Sequence, residues 1–258
     1  MVQLPHPSLP PVPPLWREGR IGLEWAALRR SDVYRGVGVP AGAGRGVLLI
    51  PGFMAGDGSL GTLTQWLRGA GWHTKRAGFR ANVACSDVAC TRLEQRLETL
   101  AERTGERVTI VGQSRGGVFA KALGARRPDL VAGIVTLGAP VRAQLAVHPL
   151  VLAQVGVVAA IGSGVPGLLS WRCLRGECCA PFRAALAGPF PPDVGYISLY
   201  SRSDGIVDWH SCIDPDADAC VEVQGSHCGM SLNPQVYRAI GRALGSFAAR
   251  DSGWAEAA

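Results

Sequence analysis

Lysine is almost missing from this 258-residue chain: only Lys75 and Lys121 occur, and the formal charge of +6 rests on arginine. The arginines are scattered, as through the helical pattern of residues 91–103, and this dispersion argues against a nucleic-acid groove. No internal repeat and no second domain is evident, and 47% hydrophobic content over this length suits one α/β domain with a substantial core. The N-terminus lacks the basic-then-apolar pattern of a secretory signal and instead carries six prolines between Leu4 and Leu15. It reads as a Pro-rich arm, extended or disordered, assigned to residues 1–30, and the missing signal favours the cytoplasm. Zinc-type CxxC pairs are absent around Cys173, Cys178 and Cys179, so no metal site is expected. The eight cysteines form an even set in which Cys85 with Cys90, and Cys212 with Cys220, are close enough to pair locally, and compartment and redox state stay open.

The most informative stretch that is present is VTIVGQSRGG, residues 108–117. A β-branched apolar run breaks at Gly112-Gln113-Ser114-Arg115-Gly116 and continues into a helix-compatible segment. A sharp strand-to-helix turn presents a nucleophilic serine in this way, and it needs small residues two before and two after because the two elements pass close together. At this glycine content the pentapeptide alone occurs by chance about once in four such chains, so its strand and helix context carries the weight.

A serine hydroxyl needs a histidine base and a carboxylate to orient it, arriving in the order Ser, Asp, His. The segment 194–201 (VGYISLYS) reads as a strand with Asp204 three residues beyond its end, and 219–225 (ACVEVQG) reads as another with His227 just after it. Ser114 and Asp204 are 90 residues apart, Asp204 and His227 are 23 apart, and both intervals fit the order. Asp208 is the rival acid but lies seven residues past the strand. His6, His73, His148 and His210 do not follow a late strand and read as ordinary surface or core histidines. For an oxyanion hole, the strand 46–50 (GVLLI) ends in Pro51-Gly52-Phe53, which makes the Phe53 N–H the natural donor beside the N–H of Arg115.

Strands at 46–50, 108–112, 131–138, 194–201 and 219–225 alternate with helical patterns, which predicts a doubly wound, mainly parallel α/β sheet over residues 31–250, followed by a tail at 251–258. One helix places Leu93, Leu97 and Leu100 on a single face ahead of Gly105. The last is capped by Asn233, begins at Pro234, and buries Tyr237, Ile240, Leu244 and Phe247. Residues 141–193 contain no clear strand and read as a helical cap insertion. Its apolar core, Leu150 to Leu169, reads first as a lid over the serine, then as a membrane-surface contact, and last as a true span, which its glycines disfavour. On the lid reading, a charge at Val157 or Leu169 is expected to depress turnover of long apolar substrates while sparing short ones.

The residues VLLIPGF, VGQSRGG, VTLGAP, YSRSDGIVDW and VEVQGSHCGM resemble the successive landmarks of the α/β-hydrolase superfamily, specifically its bacterial esterase/lipase branch, over roughly Gly46 to Leu244. The resemblance implies Ser114 as nucleophile, Asp204 as acid, His227 as base, and Phe53 and Arg115 as oxyanion donors. It also implies a cofactor-independent enzyme acting on a small-molecule ester or lipid. Lipases often carry histidine before the oxyanion-hole glycine, where this chain has Pro51. An acyltransferase with the same acyl-enzyme, and a non-catalytic small-molecule binding protein, are the alternative expectations.

Overall fold

The computed structural model describes residues 14–255. Its centre is a sheet of six strands, all parallel: β1 Gly46–Ile50, β2 His73–Arg76, β3 Val108–Gln113, β4 Val131–Leu137, β5 Gly195–Tyr200 and β6 Ala219–Glu222, in the order β2-β1-β3-β4-β5-β6. Strands buried on both faces read as continuous apolar runs, and β1, β3 and β4 are buried at every position. Period two sends alternate side chains to opposite sides. Leu48, Ile50, Ile110 and Ile134 pack in one core with α3 Ser86–Thr104 and α4 Arg115–Arg126, while Val47, Leu49, Val111 and Val135 pack in a second with α1 Ile21–Arg30, α2 Gly61–Gly69 and α8 Pro234–Ala255. This is the doubly wound parallel α/β architecture that the alternation of elements predicts.

Five strands fall where the sequence patterns put them, with the last, read over 219–225, ending at Glu222, and β2 is an addition. Its sequence, HTKR, has no apolar run, because an edge strand paired on one side only need not be buried: only Thr74 in it is. Gly105 ends α3 in the left-handed region at φ 71°, and the Asn233 side chain accepts from Gln235 N at 2.8 Å to start α8. The buried stripe Tyr237, Ile240, Leu244 and Phe247 lies in the second core.

Both ends of the chain differ from the sequence reading. Residues 1–13 of the Pro-rich arm lie outside the described residues, but Leu15–Arg20 form a 3-10 helix that runs into α1, so residues 15–30 are helical and not an extended arm. The reason is tertiary, since Leu28 is fully buried in the second core and two glutamates of this segment bond to the histidine loop described below. At the other end α8 continues five residues past 250.

Residues 141–193 carry three helices, α5 Pro149–Gly162, α6 Trp171–Arg175 and α7 Ala180–Ala187. Among the described residues no helix is long and apolar enough to cross a membrane. The stretch from Leu150 to Leu169 breaks at Gly162 and divides by exposure: Leu169 is 6% exposed, whereas Val157 and Ile161 are each 60% exposed. The scarce lysine has a definite place here. Lys121 of α4 is buried and bonds Asp214 at 2.5 Å and Asp216 at 2.9 Å, fastening the loop before β6 to the core.

Candidate active site

Ser114 stands between β3 and α4 with φ 53° and ψ −124°, a conformation that L-residues rarely adopt and that costs roughly 1–3 kcal/mol. The flanking glycines permit it. A Cβ on Gly112 would come within 2.3 Å of the Gly116 carbonyl oxygen, and one on Gly116 within 2.1 Å of the Ile50 carbonyl oxygen. Ser114 N donates to Leu137 O at 2.8 Å, which fixes the turn to the end of β4. The serine therefore heads α4, where the first N–H groups lack intrahelical acceptors.

Asp204 and His227 meet. His227 Nδ1 lies 2.7 Å from Asp204 Oδ2, both residues are buried, and Asp204 Oδ1 accepts from the N–H groups of Ile206 at 2.8 Å and Val207 at 2.7 Å. The carboxylate is thus held by three donors. Burial alone would press the His227 pKa down, but the Asp204 charge and hydrogen bond, aided by Glu18, outweigh it and hold the imidazole above its ordinary range. The pair reaches the serine turn through Gln113, whose side-chain amide donates to His227 O at 2.9 Å. Asp208 is turned elsewhere and pairs with exposed His210 at 2.7 Å. Of the other histidines, His148 caps α5, His73 sits on the edge strand β2, and His6 is outside the described residues.

Two residues of the site went unread in the sequence. Glu18 Oε1 accepts from Gly205 N at 2.9 Å and His227 N at 2.8 Å, while its Oε2 accepts from Cys228 N at 2.8 Å. One carboxylate therefore ties the acid loop to the histidine loop. Glu24 is buried and accepts from Ser226 N at 2.6 Å and Ser226 Oγ at 2.7 Å. These contacts span about 200 residues of chain, and the only local trace is that Glu18 and Glu24 are the sole acids before Asp32. Glu18→Gln keeps one acceptor oxygen and adds two donors facing N–H groups, so it should displace the His227 loop. We expect kcat on a soluble ester to fall about 10- to 100-fold, and the acid limb of its pH profile to move to lower pH as the imidazole loses a neighbouring charge. An unchanged pH profile with unchanged kcat would remove Glu18 from the site.

The expected donors Phe53 and Arg115 lie beside Ser114 on the wall of one cavity of about 520 Å³. The Arg115 side chain braces the loop opposite: it donates to Asn82 O at 3.0 Å and Ala84 O at 2.6 Å, and Asn82 Nδ2 in turn donates to Pro51 O at 2.9 Å. Burial lowers the Arg115 pKa to about 10, which leaves it charged at neutral pH. The insertion supplies the far wall through Val151, Val155, Leu169 and Phe182, so the apolar stretch faces the cavity at the first three of these. Val157 is not among the lining residues, which corrects the expectation that a charge there would act on the cavity: on α5 it points to solvent. Asp204 and His227 are not among the lining residues, but Ile206, which is, donates its N–H to Asp204.

No family model and no curated protein matches this chain. Among solved structures it is similar to the mature form of a lipase from Bacillus licheniformis, with 14% identity and a TM-score of 0.58 over 80% of this chain and 94% of that one. It is also similar to a monoacylglycerol lipase from Paleococcus ferrophilus, with 18% identity and a TM-score of 0.55 over 81% and 96% of the two chains. A soluble variant of monoglyceride lipase from Saccharomyces cerevisiae gives 14% and 0.54 over 83% and 89%. The fold is that of the α/β hydrolases. At these identities the likeness carries the fold, and the chemistry has to come from this chain's own residues.

Proposed function

We propose that this chain is a serine hydrolase cleaving carboxylic esters with apolar acyl groups through an acyl-enzyme on Ser114. The observation that carries the reading is the 2.7 Å Asp204–His227 pair, joined through Gln113 to a serine held at φ 53°. In this reading His227, oriented by Asp204 through Nδ1, takes the Ser114 proton on Nε2 as Oγ attacks the ester carbonyl. The oxyanion forms under the N–H groups of Phe53 and Arg115. The intermediate expels the alcohol, which receives the proton from His227. Water, deprotonated by the same imidazole, then adds to the acyl carbon, and the acid leaves as Ser114 regains its proton.

The acyl chain would lie against Val151, Val155 and Leu169. Each buried methylene is worth about 0.8 kcal/mol, or roughly a fourfold preference, until the cavity is filled. The exposed Val157 and Ile161 of α5 lie outside the cavity and suit contact with a lipid surface that presents the substrate. Hydrolysis of p-nitrophenyl esters of graded chain length tests the reading: kcat/KM should rise with chain length, then level. Leu169→Asp or Val155→Asp should depress the longer esters about tenfold or more while sparing acetate. Equal loss on long and short esters would assign these residues to folding instead. Failure to hydrolyse any ester above background would overturn the function.

A further inference from the structure

Four cysteines from three separate stretches of chain converge on the cap side of the cavity. Cys85 precedes α3, Cys173 lies in α6, and Cys178 and Cys179 precede α7. Their sulfurs all lie within 4.8 Å of one another, with Cys85–Cys179 at 3.5 Å, Cys85–Cys178 at 3.8 Å, Cys178–Cys179 at 3.7 Å and Cys173–Cys178 at 3.2 Å. A disulfide requires about 2.05 Å, so none of these pairs is bonded, and the local pairings considered from the sequence are not formed either. A tetrahedral ion with metal–sulfur bonds of about 2.3 Å sets its ligand sulfurs about 3.8 Å apart, which these distances approach. An iron–sulfur cluster spreads its thiolates over several irons, and a set this tight has room for one ion.

Three of the four residues are buried, Cys85 and Cys179 sit at helix N-termini, and Ser170 N donates to Cys173 Sγ at 3.4 Å. The half-buried Arg115 guanidinium sits beside the cluster, donating to Ala84 O at 2.6 Å and Ser86 Oγ at 3.3 Å on either side of Cys85, and its positive charge partly offsets a site of net charge −2.

We propose that Cys85, Cys173, Cys178 and Cys179 bind one Zn²⁺ in a closed tetrahedral site that staples the cap helices α6 and α7 to the start of α3. With four protein ligands and no open position, the ion is structural. Binding replaces four thiol protons, released to solvent, with one divalent cation, and no electron is transferred. Because Leu169, Cys173, Cys179 and Phe182 also line the cavity, the ion would fix its cap-side wall. The inference rests on cysteine geometry and is independent of the hydrolytic reading.

The test is the metal content of the full chain, expressed with added zinc and purified without a metal-binding tag or chelator. Elemental analysis should find about one zinc per chain, falling below roughly a tenth in Cys178→Ser and unchanged in Cys220→Ser, whose thiol lies outside the cluster. Should Cys178→Ser fail to fold, the wild-type protein decides the matter. Mercurial titration should release its zinc as the thiols are modified, and replacement by Co²⁺ should give the visible spectrum of tetrahedral thiolate coordination. Wild-type protein without zinc, or with fewer than its 8 thiols reactive after denaturation in chelator, would overturn the proposal in favour of empty thiols or disulfides.

Discussion

Replacing Ser114 with alanine is expected to lower ester turnover by about a millionfold while leaving the fold intact, because without the hydroxyl there is no nucleophile for His227 to activate. The backbone of the turn is held by the Ser114 N to Leu137 O bond and by the close approach of Gly112 and Gly116, none of which involves the side chain. Circular dichroism and melting temperature should therefore match wild type. A folded Ser114→Ala protein that keeps more than about a tenth of the activity would place the chemistry elsewhere.

The second large effect separates two neighbouring acids. Asp204→Asn should lower kcat about 10⁴-fold. Asparagine can still accept from Ile206 N and Val207 N, but its amide then faces His227 Nδ1 with hydrogens. That drives the ring proton onto Nε2, the atom that has to accept from the serine. The pH profile should change as well. His227 works as a base only when neutral, so activity falls as pH drops through its pKa, which Asp204 and Glu18 hold above the ordinary value of 6.5. Removing the Asp204 charge lowers that pKa and moves the acid limb of kcat/KM to lower pH. Asp208→Asn, by contrast, touches only the His210 pair and the start of a 3-10 helix, and should stay within a few-fold of wild type. If Asp208→Asn alone loses several orders of magnitude, the pairing is misassigned.

These expectations arise mainly where local sequence and local structure agree. The strand-turn-helix around Ser114 was legible because its glycines are demanded by backbone approaches that a Cβ would close. Asp204 was legible because it follows the apolar run of β5, and His227 because it follows the alternating stretch at 219–225, of which β6 itself spans Ala219–Glu222. What escaped depended on contacts between distant parts of the chain. Edge strand β2 has no apolar signature, and residues 15–30 became helical on packing against the second core. Glu18 and Glu24 act across about 200 residues, which no spacing rule reports. The four-cysteine cluster is the clearest case: Cys85 is separated from Cys173 by α3, β3, α4, β4 and α5, and CxxC spacing does not report it.

The central claim is that Ser114 is a nucleophile activated by the Asp204–His227 pair, and covalent capture tests it most directly. Treating the full chain with a serine-directed alkyl fluorophosphonate and measuring intact mass, followed by peptide mapping, should show one adduct per chain, on the peptide that carries Ser114. Labelling should be lost in Ser114→Ala and slowed by orders of magnitude in Asp204→Asn. A folded wild-type protein that takes up no label, or takes it up equally well without Ser114, would contradict the account.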